Sequence, residues 1–168
     1  SSVQHPSPST LALRGLLAST FASAEVFIPL YLTREAGWSL AQAGLVLSAA
    51  TVTWSAGSAV QARIADTRQR RRALQVGFAL VGAGLLTVIA PSALAASPWC
   101  VLVGWPVVGF GIGLSFPMLS VLTLKLSAPG EQGRNASALQ LSDALCSSAV
   151  LALAGALFNL AIDHGPTA

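Results

Sequence analysis

The sequence predicts an all-α, polytopic membrane protein: a transmembrane helix bundle of about five spans. Three observations carry this reading. The chain contains five apolar stretches of the roughly 20 residues that a helix needs to cross a bilayer. Charged residues are only 9% of its 168 residues, with 54% hydrophobic, whereas a soluble domain carries about 25% charge to cover its water-facing surface. Finally, five of its nine basic residues, Arg63, Arg68, Arg70, Arg71 and Arg72, fall in one short connection between two apolar stretches.

The spans run at about 11–32, 41–62, 73–94, 99–124 and 136–162, preceded by a linker or disordered tail over 1–10 and followed by a tail over 163–168. Their connections are short and polar, so each span is expected to run antiparallel to the one before it. The first connection, Thr33–Ser39, holds Arg34, Glu35 and Gly37, with Trp38 at an interfacial position. The second is the basic loop 63–72. The third is a tight turn over Ala95–Pro98, and the fourth, Ser127–Asn135, contains Pro129, Gly130, Glu131, Gly133 and Arg134. Basic residues mark cytoplasmic connections. The basic loop is therefore expected on the cytoplasmic side, together with Arg14 and the connection flanked by Lys125 and Arg134. The C-terminus then falls outside, as if a returning sixth helix were missing. The first residues lack both an initiator Met and a basic run before the first span, so the chain reads as a fragment of a longer protein without a cleavable signal.

The charge pattern excludes several function classes. The arginines adjoin apolar spans and have no interleaved aromatic residues, which argues for anionic lipid headgroups and against nucleic acid. Cys100 and Cys146 lie in apolar runs without metal or redox spacing. His5 and His164 sit in the tails, so no metal site, cofactor site or Ser–His pair for a membrane-embedded hydrolase is expected, and no residue is nominated as catalytic.

Two carboxylates lie inside spans. Glu25 is 11 residues past Arg14, about 16 Å along a helix, and Asp143 is eight past Asn135, about 12 Å. A lone ionised side chain at such depth costs about 2.5–3.5 kcal/mol, and such residues usually face a bundle interior or a wet cavity. There they can take up and release a proton. Gln140, Asp143 and Ser147 are spaced three and four apart and share a helix side, as do Ser48, Thr51, Ser55 and Ser58 on the second span. Glu25, Gln140, Asp143 and Ser147 are therefore the candidates for a proton relay or substrate cavity. For Glu25 a structural role beside the kink at Pro29 is equally open. Gly109, Gly111 and Gly113, between Pro106 and Pro117, lack the spacing of a dinucleotide fingerprint. Gly109 and Gly113 are four apart, which suits close helix packing, and Pro117 suits bending.

At this point the chain resembles the major facilitator superfamily. That family's signature loop reads roughly G-x-L-a-D-r-x-G-r-r-r-x-l, and Ile64, Ala65, Asp66, Arg70, Arg71, Arg72 and Leu74 occupy the corresponding places. Ala62, Gln69 and Thr67 depart from it, and the loose form is similar to the signature's second copy. Phe21–Leu32, Ala43–Ser48 and Trp54–Arg63 resemble the seventh and eighth helices of bacterial drug-efflux-type members, and Gly109–Pro117 and Pro129–Asp143 resemble the tenth and eleventh. The resemblance implies the C-terminal half of a twelve-helix fold in the bacterial plasma (inner) membrane. The function it implies is alternating-access efflux of a small solute, for which the intramembrane Asp143 and Glu25 motivate proton coupling (proton antiport). Asp66, Arg70, Arg71 and Arg72 would form a cytoplasmic latch. The partners it implies are the bilayer, a proton, an unknown substrate, and the missing six-helix N-terminal half or a second copy of the chain. The rival expectation is a truncated half-carrier acting as a non-transporting membrane interaction protein.

Overall fold

A computed structural model describes residues 8–94, 96–127 and 130–163, with 8–11, 122–126 and 157–163 as backbone alone. Five α-helices follow one another: α1 (Pro8–Arg34), α2 (Leu40–Ala62), α3 (Thr67–Leu94), α4 (Trp99–Leu126) and α5 (Gln132–Asp163), with no strand among the described residues. All five are long and apolar enough to cross a membrane. Of the expected tails over 1–10 and 163–168, residues 1–7 and 164–168, with His5 and His164, lie outside the described residues, as do Ala95 and Pro129, whereas 8–10 and 163 are helical, in α1 and α5.

Besides that of α1, two helix starts differ from the sequence-based boundaries. α3 begins at Thr67, so the turn between α2 and α3 is only 63–66, and Arg68, Arg70, Arg71 and Arg72 ride on the first two turns of α3. The cause is Asp66, whose carboxylate accepts the Gln69 backbone N–H at 3.1 Å and caps the helix before its apolar run begins. α5 likewise begins at Gln132, taking Gly133, Arg134 and Asn135 into its first turn. Inside that turn the exposed Arg134 donates to Glu131 at 2.7 Å, and the buried Asn135 amide donates to Ser127 Oγ at 2.7 Å.

The connection between α1 and α2 is built by local rules. Gly37 takes φ +69°, a left-handed conformation that glycine adopts without strain, and this returns the Trp38 N–H to the Leu32 carbonyl at 2.9 Å. Ser39 then caps α2 in a reciprocal box: its hydroxyl accepts the Gln42 N–H at 3.2 Å, and its own N–H donates to Gln42 Oε1 at 2.8 Å. Ser39→Ala should cost about 1 kcal/mol, seen as a lowered thermal midpoint in detergent with the helix content of the folded state unchanged. The Trp38 ring meets that of Trp99 at the start of α4, centroids 4.7 Å apart.

The helices form two compact units. One comprises the described residues of 27–122, the other those of 1–26 and 123–168. In the first unit α4 is central: 56% of its span is buried, against at most 28% for any other helix. Val101, Trp105, Val108 and Ile112 are essentially inaccessible. The other helices present large apolar side chains outward, among them Leu45 and Val52 of α2 and Leu86 and Ile89 of α3. In water such faces would be costly, and against lipid tails they are at home.

Candidate functional site

Glycine lets two helices reach α4 from different sides. A Cβ on Gly109 would strike the Ala50 carbonyl, and one on Gly113 would strike the Trp54 carbonyl and come within 3.0 Å of Gly57 Cα, so these two glycines meet α2. A Cβ on Gly111 would lie 2.6 Å from the Gly77 carbonyl, and one on Gly104 would lie 2.8 Å from the Gly84 carbonyl, so these two meet α3. Residue numbers rise together along α2 and α4 and oppositely along α3 and α4. The three helices therefore run up, down and up, as the short connections require. The sequence reading found the face of Gly109 and Gly113. It missed Gly104 and Gly111, whose seven-residue spacing matches that of Gly77 and Gly84 and was the available signal.

Proline shapes the same helix. Pro117 has no N–H to give to the Gly113 carbonyl, one turn earlier. Ser58 of α2 supplies a donor instead, its hydroxyl 3.4 Å from that oxygen. The Thr53 hydroxyl similarly donates to the Pro106 carbonyl at 2.7 Å. Thr53, Leu80, Pro106, Val107 and Phe110 line an apolar cleft of about 220 Å³. None of the candidate relay residues lines it. Ser48, Thr51 and Ser55 are exposed, and Thr51 and Ser55 bond back to their own helix at 3.2 and 3.1 Å. Among the described residues, the polar stripe of α2 therefore makes one hydrogen bond across helices, at Ser58.

The second unit holds the one buried ion pair among the described residues. Arg14 of α1 donates from Nε to Asp143 Oδ2 of α5 at 2.8 Å, with the two side chains only 9% and 17% exposed. Gly15 makes the approach possible, because a Cβ there would lie 2.7 Å from Cys146 Sγ and 3.5 Å from Ser142 Oγ. The Ser19 hydroxyl, buried on the same helix, donates to the Gly15 carbonyl at 2.6 Å. Asp143 Oδ1 is buried without a hydrogen-bond partner. The pair brings a cation and an anion into an apolar span as a neutral couple. An ionised carboxylate alone deep in a span costs up to about 2.5–3.5 kcal/mol on insertion scales. Sequence reasoning nominated Asp143 but used Arg14 only to orient the chain. Nothing local links residues 129 positions apart.

The other nominated residues are placed separately. Ser147 is half-buried one turn beyond Asp143, whereas Gln140 is exposed. Glu25 is also exposed on the surface of this chain. In the turn between α2 and α3, Asp66 caps α3, and Arg70 donates from Nε to the Ile64 carbonyl at 3.0 Å, which braces the turn from within. Arg71 and Arg72 point outward, and no latch from these four residues to another helix is formed among the described residues.

No curated protein and no solved structure gives a significant match. The Major Facilitator Superfamily profile matches residues 4–158, nearly the whole chain. With five membrane-length helices in sequence and a basic turn between the second and third, the chain belongs to that superfamily of membrane transporters.

Proposed function

We propose that this chain is the C-terminal half of a proton-coupled carrier that expels a small solute across a bacterial plasma membrane by alternating access. The observation that carries the proposal is the Arg14–Asp143 pair, a charge couple inside an apolar span with one carboxylate oxygen left unbonded. A proton on Asp143 would cancel its charge and weaken its hold on Arg14, so protonation loosens the α1–α5 contact. Alternating access needs such contacts, strong when made and reversible when protonated. Glu25, exposed at mid-span, supports a second bundle covering α1, because a carboxylate facing lipid at that depth is unfavourable. That second bundle is the six-helix N-terminal half, or another copy of the chain, and the solute would sit between the two. The basic turn lies on the cytoplasmic side by the positive-inside rule.

The test is pH-gradient-driven dye or drug flux in proteoliposomes carrying the full-length carrier. Asp143→Asn keeps the shape and removes the titratable group. It should abolish gradient-driven flux while leaving membrane expression intact, because the Asn side-chain oxygen can still accept from Arg14 where an apolar replacement could not. Unchanged gradient-driven flux in Asp143→Asn would remove Asp143 from the coupling step. A full-length protein that folds normally yet moves no solute and no proton would favour the non-transporting half-carrier.

A further inference from the structure

We infer that the arginines at the start of α3 form a binding surface for an anionic phospholipid headgroup. Arg68, Arg71 and Arg72 are exposed and stand three and four residues apart, on one side of α3. Arg63, at the C-cap of α2, is exposed at the other end of the same four-residue turn. The fifth arginine, Arg70, is turned away to the Ile64 carbonyl. The one acid of the turn, Asp66, spends an oxygen on the α3 cap, and no ion pair reaches Arg63, Arg68, Arg71 or Arg72 among the described residues.

Like charges at this helical spacing repel one another, so the cluster is favourable only where counter-charge is supplied from outside. Its place in the fold says what supplies it. α2 ends at Ala62 and the apolar run of α3 starts at Ala73, so the guanidinium groups stand at the end of two membrane-length helices, at the depth of lipid phosphates. Guanidinium forks match phosphate oxygens in pairs, and the positive N-terminal end of α3 adds to the attraction. The occupant is the phosphodiester of an anionic diacyl lipid from the surrounding leaflet. The inference needs the membrane span and not the transport cycle.

The experiment titrates the purified full-length protein in neutral detergent with pyrene-labelled phosphatidylglycerol, and in parallel with pyrene-labelled phosphatidylcholine. Energy transfer from tryptophan reads binding. Phosphatidylglycerol should bind more tightly than phosphatidylcholine, and its advantage should vanish in molar salt. Each arginine near an anionic surface is worth about fivefold, so Arg68→Gln/Arg71→Gln/Arg72→Gln should weaken phosphatidylglycerol on the order of 100-fold and leave phosphatidylcholine unchanged. The matching triple Lys variant should retain most of the selectivity. Equal affinity for the two lipids in the wild type, or selectivity that survives the Gln substitutions, would overturn the inference. So would complete displacement by millimolar inorganic phosphate, which would make this a free-phosphate site. If the Gln variant does not fold, the wild-type lipid preference and its salt dependence decide the matter alone.

Discussion

Gly113→Ala is expected to lower the stability of the bundle by about 2–3 kcal/mol, the upper part of the usual range for overpacking a close contact. The added methyl would press on the Trp54 carbonyl, on the Ser58 nitrogen at 2.9 Å and on Gly57 Cα at 3.0 Å. All three are backbone atoms of α2, so no side chain can swing aside, and the whole helix must retreat from α4. Retreat would also separate the Ser58 hydroxyl from the carbonyl that Pro117 leaves without a donor. Gly44→Ala provides the comparison. Nothing lies within 4 Å of a Cβ at Gly44, and the loss of glycine's backbone freedom should stabilise the helix by about 0.5–1 kcal/mol. Thermal unfolding in detergent, followed by tryptophan fluorescence, distinguishes the two. Equal midpoints for Gly113→Ala and Gly44→Ala would show that the α2–α4 contact is not close.

Removing either member of the Arg14–Asp143 pair should be costlier still. Arg14→Leu or Asp143→Leu strands a buried charge, for which losses of about 3–5 kcal/mol are usual. Arg14→Leu/Asp143→Leu should recover most of that, because two apolar side chains in contact need no counter-charge. Arg14→Asp/Asp143→Arg should recover part of it. Denaturation midpoints of the two single variants and the double variant close a double-mutant cycle. Single-variant losses below about 0.5 kcal/mol, or losses that simply add in the double variant, would mean the two charges do not depend on one another.

The spans were legible because the bilayer imposes a length, and a 20-residue apolar run can do little else. Their starts were less legible. Arg68 to Arg72 read as a loop because they are charged, yet Asp66 followed by Gln69 three residues later is a helix-start pattern that overrides the charge. Gly109 and Gly113 could be assigned to one face from spacing alone. That Gly111 points to another helix, and that Gly77, Gly84 and Gly104 complete that contact, depends on pairing between helices. Asp143 stood out because a charge inside an apolar span is conspicuous. Its partner was hidden, because Arg14 sits near a span end, where basic residues are common for reasons of orientation. The exposed Ser48, Thr51 and Ser55 show the limit of a polar stripe as a signal: hydroxyls can bond to their own helix and need no wet interior.

Threading is the most direct test, since every contact described here presumes that α1 to α5 cross the bilayer in alternation. Single cysteines are introduced as Glu35→Cys, in the turn before α2, and Gln69→Cys, in the first turn of α3, with Cys100→Ser and Cys146→Ala removing the native thiols. A membrane-impermeant maleimide is applied to right-side-out and inside-out vesicles. Alternating spans require position 69 to react only in inside-out vesicles and position 35 only in right-side-out ones. Reaction of both positions from the same side would contradict the five-pass bundle, whatever its transport activity.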